Sequence, residues 1–331
     1  MQCPSAREPR HPEMQYLDLL DHLLTCGERK IDRTGVGTLS VFGAMLRFDL
    51  AGGVMPLLTT KRVYWKTATK EMLWFLTGST NIQPLVRANC PIWTDWPLDK
   101  YRKATGTEIS QAEFESRIAS DDAFAAQWGE LGPVYGKQWR RWLGPDGREH
   151  DQIATLIETL RNNPSSRRML FHGWNVAEVD QMALPPCHLL YQFYVSEGAR
   201  GAEGLGTTNP GSSGIEENEN SARRRLSCLA FQRSADTLLG VAFNLWNAAL
   251  LLRMIADQVD MEPGELIWVG GDTHLYLNHI EAAREQLSRE PRAWPTMRIL
   301  RKPESIDGYR IEDFVVEGYD PHPPIRAEVA V

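Results

Sequence analysis

Two apolar runs, CHLLYQFYV at residues 187–195 and LSCLAFQRS at 226–234, flank a stretch with almost nothing to bury. From Glu197 to Arg225 (EGARGAEGLGTTNPGSSGIEENENSARRR) the large aliphatics are Leu205 and Ile215, and Gly, Ser, Asn and Glu supply most of the rest. Such a composition cannot offset its ordering entropy by burial, which predicts a flexible segment with no core of its own. It could link two domains or extend the loop between two strands. Both flanking runs have the residue types of buried strands, so they read as neighbours in one sheet. The expectation is a single domain over 1–331 with an insert at 197–225. At 331 residues and 42% apolar, the chain is long enough to bury a substantial core.

The remaining elements alternate without a regular strand–helix–strand rhythm. Leu17, Leu20, Leu23 and Leu24 share one face between Glu13 and Gly27, which predicts an amphipathic helix ended by the glycine. DRTGVGTLSVFG carries turn chemistry and then alternation, a loop feeding a strand. EMLWFL at 71–76 reads as a buried helix, and the polar stretch from Pro97 to Glu130 as a helical excursion on the surface. A helix over 153–160 is broken by NNPSSRR before MLFHGWNV resumes as a strand. Further helices are predicted at 243–258 and 277–287, with strands at 265–269, 296–301 and 312–317. Helices and strands mixed in this way give an α+β layered domain.

Lys and Arg number 36 against 43 Asp and Glu, a formal charge of −7, and no sustained basic block occurs. That balance argues against coating DNA, RNA or an anionic membrane, which needs clustered positive charge. A small anionic ligand stays open. No run approaches the ~20 apolar residues of a spanning helix, and the opening MQCPSAREPRHP lacks an export signal, so the expected setting is cytoplasmic. The five cysteines, Cys3, Cys26, Cys90, Cys187 and Cys228, are scattered with no CxxC pair, which suggests free thiols and no metal site.

Cys187 follows two prolines in MALPPCHLLYQF, where a stiff turn can hold and expose a thiol at a strand edge. The competent nucleophile is the thiolate, which nearby cations favour. Arg33 (DRTG), Arg167 and Arg168 (SSRR) and Arg233 (QRSAD) sit among Ser, Thr and Gly, a context able to hold a phosphate. Each alone reads better as an ordinary surface or ion-pair arginine. Together they suggest a phosphate monoester beside a cysteine. Glu71 opens an apolar helix, either solvated or buried with a raised pKa. Asn244 sits in VAFNLWNAALLL, where an amide must find partners. His274 and Tyr276 alternate to one face in GGDTHLYLNH and could both reach a hydroxyl, and Trp93 and Trp96 in PIWTDW could form an aromatic wall or lie in the core.

Taken in order, DRTGVGTLS, EMLWFLTGSTNI, IWTDW, GPVYGKQWR, SSRR, WNVAEVDQMALPPCH, QFY, QRSAD, FN, GGDTHLYLNH, LSREPR, RKPESI and EGYDPHPPI closely resemble the folate-dependent thymidylate synthase family, from about Met14 to Val331. The resemblance implies a large mixed sheet covered by helices and a homodimer packed sheet to sheet. It also implies one-carbon transfer from 5,10-methylenetetrahydrofolate to C5 of deoxyuridylate, with no metal. Carried onto this chain, it makes Cys187 the nucleophile at C6 of the pyrimidine. Arg33, Arg233 and Ser234 would hold the phosphate, with Arg167 and Arg168 donated to the partner's site. Glu71 would organise the water network for proton transfers at O4, with Tyr135, His188 and Asp236 beside it among the catalytic residues, Asn244 would read the uracil edge, and His274 and Tyr276 would hold the sugar hydroxyl. Tyr64, Ile92, Trp93, Trp96, Leu184, Asp236, Gly240, Phe243 and the terminal Val329, Ala330 and Val331 would line the folate site.

Several positions depart from the commonest family pattern: Thr94 for Asp, His172 and Gly173 for Ser and Ala, Val241 and Ala242 for Leu and Pro, Glu328 for Pro, and Tyr64 where His is frequent. None removes a catalytic group. The departures border the folate site, so two other readings stand beside the synthase. One is a 5-hydroxymethylase acting on deoxyuridylate, or on deoxycytidylate or cytidylate, in which water replaces hydride at the last step. The other is an inactive homologue that binds nucleotide or RNA.

Overall fold

Helix α1 (Met14–Cys26) forms where the leucine spacing predicts it, burying Leu17, Leu20 and Leu23 and stopping at Gly27, whose N–H bonds the Leu23 carbonyl. The structure is a computed structural model, and it describes residues 10–31, 35–197 and 223–328. After α1 come β1 (Glu28–Lys30), β2 (Thr38–Asp49), α2 (Trp65–Leu76) and α3 (Gln83–Arg87). The helical excursion follows as α4 (Asp95–Thr105), α5 (Gln111–Ser120) and α6 (Asp122–Trp128). Next are α7 (Tyr135–Arg140), the short pair β3 (Trp142–Leu143) and β4 (Glu149–His150), α8 (Gln152–Asn162) and β5 (Leu170–His172). The chain continues through β6 (His188–Ser196), β7 (Arg225–Asp236), α9 (Gly240–Gln258), β8 (Glu262–Tyr276), α10 (Ile280–Leu287), β9 (Thr296–Ile299) and β10 (Phe314–Glu317).

Six strands form one sheet in the order β1-β2-β8-β7-β6-β5. Its neighbours run antiparallel except β7 and β8, which are parallel, so the sheet is mixed as expected. Strands β6 and β7 pair from His188↔Gln232 to Ser196↔Arg225. The runs on either side of the low-complexity stretch are therefore direct neighbours. Arg225, expected in the insert, instead opens β7; of the rest, Glu197 and Arg224 form an ion pair at 3.2 Å, and residues 198–222 lie outside those described.

A parallel pair needs a crossover, and α9 supplies it. This helix is apolar almost all round and buried along most of its length against β7, β8 and α2. Strand β8 runs well past the predicted 265–269, through Gly270 and Gly271 to Tyr276. The two glycines admit close neighbours: a Cβ on Gly271 would lie 2.8 Å from the Arg233 carbonyl, and one on Gly270 would lie 2.5 Å from the Trp268 ring. The extension carries His274 and Tyr276 level with the end of β7, where Asp236 pairs with His274. The opposite face of the sheet leaves Met45, Leu170 and Tyr194 exposed.

Glu13, fully buried ahead of α1, joins three distant segments. Its carboxylate accepts from the N–H of Thr59 (2.8 Å) and Thr60 (2.9 Å), from their hydroxyls (2.7 and 2.6 Å) and from the Trp294 indole (3.1 Å). A buried carboxylate is tolerable only with such a shell of donors. Glu13→Gln sets an N–H2 against donors, and should cost about 3 kcal/mol of stability in urea unfolding. A loss below about 1 kcal/mol would contradict this account of the clip.

Candidate active site

The thiol of Cys187 is held by its neighbours on both sides of the Pro185–Pro186 turn. Its backbone N–H donates to the Tyr135 hydroxyl at 2.8 Å, and its carbonyl accepts from the Arg233 N–H at 2.9 Å. The Arg233 guanidinium then donates from Nε to the Pro186 carbonyl and from Nη2 to the Pro185 carbonyl, both at 2.8 Å. That geometry leaves Nη2 4.0 Å from Sγ, with the guanidinium 5.4 Å from the Trp174 ring centroid. A full positive charge is thus fixed beside the sulfur, anchored by its bonds to the two proline carbonyls.

Across a cleft of about 370 Å³ stands Glu71, on α2. Its two oxygens accept from the Trp93 indole and from the Asn247 amide, each at 2.8 Å. Burial pushes its carboxyl from 4.5 up to about 7, against the opposing pull of those two donors. His188, also buried, is pushed down to about 4 and shares a hydrogen bond with Asn244, so it is neutral near pH 7. Tyr135 stacks on Phe75 at 4.7 Å, and its hydroxyl is raised well above its ordinary range, by burial first. Trp93 and Trp96, 5.1 Å apart, form one wall with Ile92 and Leu184. At the opposite end Asp236 accepts from the N–H of Leu238 and Leu239 and so sets the start of α9, which brings Gly240 and Asn244 to the cleft.

The family model for thymidylate synthase matches residues 14–331. The chain is 65% identical over 97% of its length to the thymidylate synthase of Cereibacter sphaeroides strain ATCC 17025, covering 99% of that protein. It is 62% identical to that of Rhizobium rhizogenes strain K84 (97% of this chain, 99% of the relative), and 54% identical to that of Zymomonas mobilis (96% and 99%). The chain belongs to the thymidylate synthase family.

Most of the residues that the family resemblance singled out meet in this cleft. Cys187, Glu71, Tyr135, His188, Asp236 and Asn244 line it, as do Arg233, Ser234, His274 and Tyr276. Others stand apart within one chain. Arg167 and Arg168 are exposed, and Arg167 lines a cavity of about 890 Å³ on the uncovered sheet face with Arg47 and Tyr194. Tyr64, expected at the folate site, is 57% exposed just before α2 and does not line the cleft. Phe243 does not line it either, because its ring packs against the core. Arg33, Val329, Ala330 and Val331 fall outside the described residues. Among the departures, Thr94 is buried, His172 packs against Trp142, and Gly173 lies against Pro186, where a Cβ would come within 3.3 Å of the ring.

Three residues of the site were not anticipated: Phe75 and Gln232, which line the cleft, and Asn247, which is fully buried behind Glu71. Phe75 was legible only as part of a buried helix. Asn247 lies three residues after Asn244, a spacing that puts both amides on one helix face, and the same apolar context could have found it. Gln232 has no local signal, since its partners Asn244 and Trp268 are remote in sequence. Among the described residues no group of three or more His, Cys, Asp or Glu could hold a metal ion, and no helix is long and apolar enough to cross a membrane.

Glu71 also links stability to pH. It titrates near 7 when folded and near 4.5 when exposed, so the folded state holds the extra proton between those values. Its contribution to stability is full below pH 4.5 and is lost as pH rises through 7. Glu71→Gln cannot titrate. The stability of the native chain relative to this variant should therefore fall by on the order of 3 kcal/mol between about pH 4.5 and 7.5, measured by urea unfolding. Parallel profiles would contradict the raised carboxyl.

Proposed function

We propose that this chain methylates C5 of deoxyuridylate to give thymidylate, with 5,10-methylenetetrahydrofolate as cosubstrate. The observation that carries the reading is the Cys187 thiol clamped 4.0 Å from the Arg233 guanidinium, in one cleft with the buried carboxyl of Glu71 and the amide of Asn244. Positive charge beside a thiol favours its thiolate, the form that adds to C6 and makes C5 a carbon nucleophile. A phosphate gripped by Arg233 and Ser234, with Arg33, would place the pyrimidine against that sulfur. Asn244 would read the uracil edge, and His274 and Tyr276 the sugar hydroxyl. Glu71, poised near neutrality, suits proton transfer to and from O4 through water, and its donors Trp93 and Asn247 hold it still. Neutral His188 can donate or accept beside it, and Tyr135 fixes the thiol's backbone.

The wall of Trp93 and Trp96, with Ile92, Leu184 and the Asp236–Gly240 turn, fits a flat bicyclic ring that carries hydrogen-bonding edges. Folate bound there supplies the one-carbon unit and the hydride that reduces it. An aromatic wall that keeps water from C5 would favour the methyl product over the hydroxymethyl one. Val329, Ala330 and Val331 would complete this wall. The uncovered face, with Met45, Leu170 and Tyr194 exposed, suits a homodimer packed sheet to sheet, and we place Arg167 and Arg168 at the phosphate of the second subunit's site. Cys26, Cys90 and Cys228 are reduced thiols, which fits a cytoplasmic setting.

Incubation with deoxyuridylate and methylenetetrahydrofolate should yield thymidylate and dihydrofolate by mass. Hydroxymethyl-deoxyuridylate with tetrahydrofolate would overturn the methyltransferase reading, and no turnover would overturn both enzyme readings. Cys187→Ser should lower turnover by about 10³-fold or more with the fold intact by circular dichroism.

A further inference from the structure

A neutral imidazole can meet a hydroxyl in two ways. The nitrogen that faces it either carries the ring's one hydrogen and donates, or is bare and accepts. His274 by itself therefore leaves the choice open, and whatever faces its other nitrogen makes it.

That neighbour is Asp272, two residues earlier on β8 and so on the same face of the sheet. Strand β2 runs alongside with the pairs Ser40↔His274 and Phe42↔Asp272. Ser40, buried, donates from Oγ to Asp272 Oδ1 at 2.6 Å. Lys30, on β1, donates from Nζ to Asp272 Oδ2 at 3.3 Å and to Ser40 Oγ at 3.4 Å. Burial works to raise the Asp272 carboxyl, yet the bonds from Ser40 and Lys30 outweigh it and hold the group below its ordinary range. Asp272 is therefore an anion at neutral pH and accepts at both oxygens. His274 Nδ1 lies 3.3 Å from the Asp272 carbonyl and 3.4 Å from its Oδ1. Each contact is long for a hydrogen bond, but both groups are acceptors and neither has a hydrogen to give. Together they keep the hydrogen of the neutral ring on Nδ1. Nε2, across the ring, is then bare. Tyr276 stands edge to face with the same imidazole, 5.3 Å between centroids, so both side chains serve one end of the cleft.

We infer that Asp272, held by Ser40 and Lys30, is a positioning residue that keeps the His274 hydrogen on Nδ1, so that Nε2 accepts from the 3′-hydroxyl of the nucleotide. The inference rests on the reading that His274 and Tyr276 hold that hydroxyl. Asp272 then acts on nucleotide binding through His274, and a strand-edge cluster of β1, β2 and β8 sets how the sugar is read.

The test is calorimetric binding of deoxyuridylate, and of 2′,3′-dideoxyuridylate, which lacks the hydroxyl, to the full chain and to Asp272→Asn, Ser40→Ala and His274→Ala. The full chain should bind deoxyuridylate the more tightly. Asp272→Asn keeps the shape but brings an N–H2 that can face Nδ1, and should shrink that preference by about fivefold. Ser40→Ala keeps the carboxylate and removes its shortest bond, and should shrink it by about twofold. It decides the matter if the first variant does not fold. A general loss of structure weakens both nucleotides together and leaves their ratio alone. The 3′-fluoro analogue, with no hydrogen to give, should bind the full chain as the dideoxy nucleotide does. Binding as tight as that of deoxyuridylate would overturn the accepting role of Nε2. An unchanged preference in Asp272→Asn and Ser40→Ala, with a reduced one in His274→Ala, would overturn the role of Asp272 and leave His274 as the reader of the hydroxyl. An unchanged preference in His274→Ala would remove the sugar reading, and the inference with it.

Discussion

Arg233 binds two successive proline carbonyls, and through them it decides where the sulfur of Cys187 stands. A guanidinium is planar and its N–H groups are fixed in direction, so two bonds to Pro185 and Pro186 leave the turn little freedom relative to β7. The same group carries the charge that favours the thiolate and, in the proposed reaction, meets the phosphate. One residue thereby ties substrate binding to the state of the nucleophile. Tyr135 completes the arrangement from the helical side, with its hydroxyl accepting the Cys187 N–H.

The sheet exists in the form that this clamp requires. Arg233 lies on β7 and Cys187 immediately precedes β6, so their antiparallel pairing brings guanidinium and turn together. The parallel neighbour β8 approaches closely because Gly270 and Gly271 carry no side chain, and it delivers His274 and Tyr276 to the same end. Helix α9, the crossover between β7 and β8, brings Asn244 and Asn247 in from above. Asn244 meets Gln232 of the sheet, and Asn247 meets Glu71 of α2. Two amides in an apolar helix thus tie α9 to the sheet on one side and to α2 on the other.

Legibility followed chemistry. Glu71 and Asn244 stood out as polar groups in apolar runs, and Cys187 by its two prolines, because each anomaly is local. Gln232 sits between Phe231 and Arg233 with nothing unusual beside it, and its meaning comes from Trp268 on another strand. Strand β8 continues beyond the expected 265–269, and its glycines there admit the Trp268 ring and the Arg233 carbonyl, contacts that no local pattern announces. Arg167 and Arg168 carried a phosphate-binding context in sequence, yet within one chain both are exposed and neither lines the cleft.

The central claim is that Cys187 forms a bond to the pyrimidine, and the most direct measurement is of that bond. In 5-fluorodeoxyuridylate the C5 hydrogen is replaced by fluorine, which cannot leave as a proton, so the addition product should persist. Incubation with this nucleotide and methylenetetrahydrofolate, followed by proteolysis and peptide mass analysis, should find nucleotide and folate together on the peptide that contains Cys187. An unmodified Cys187 peptide, or an adduct on Cys26, Cys90 or Cys228 in its place, would contradict the account.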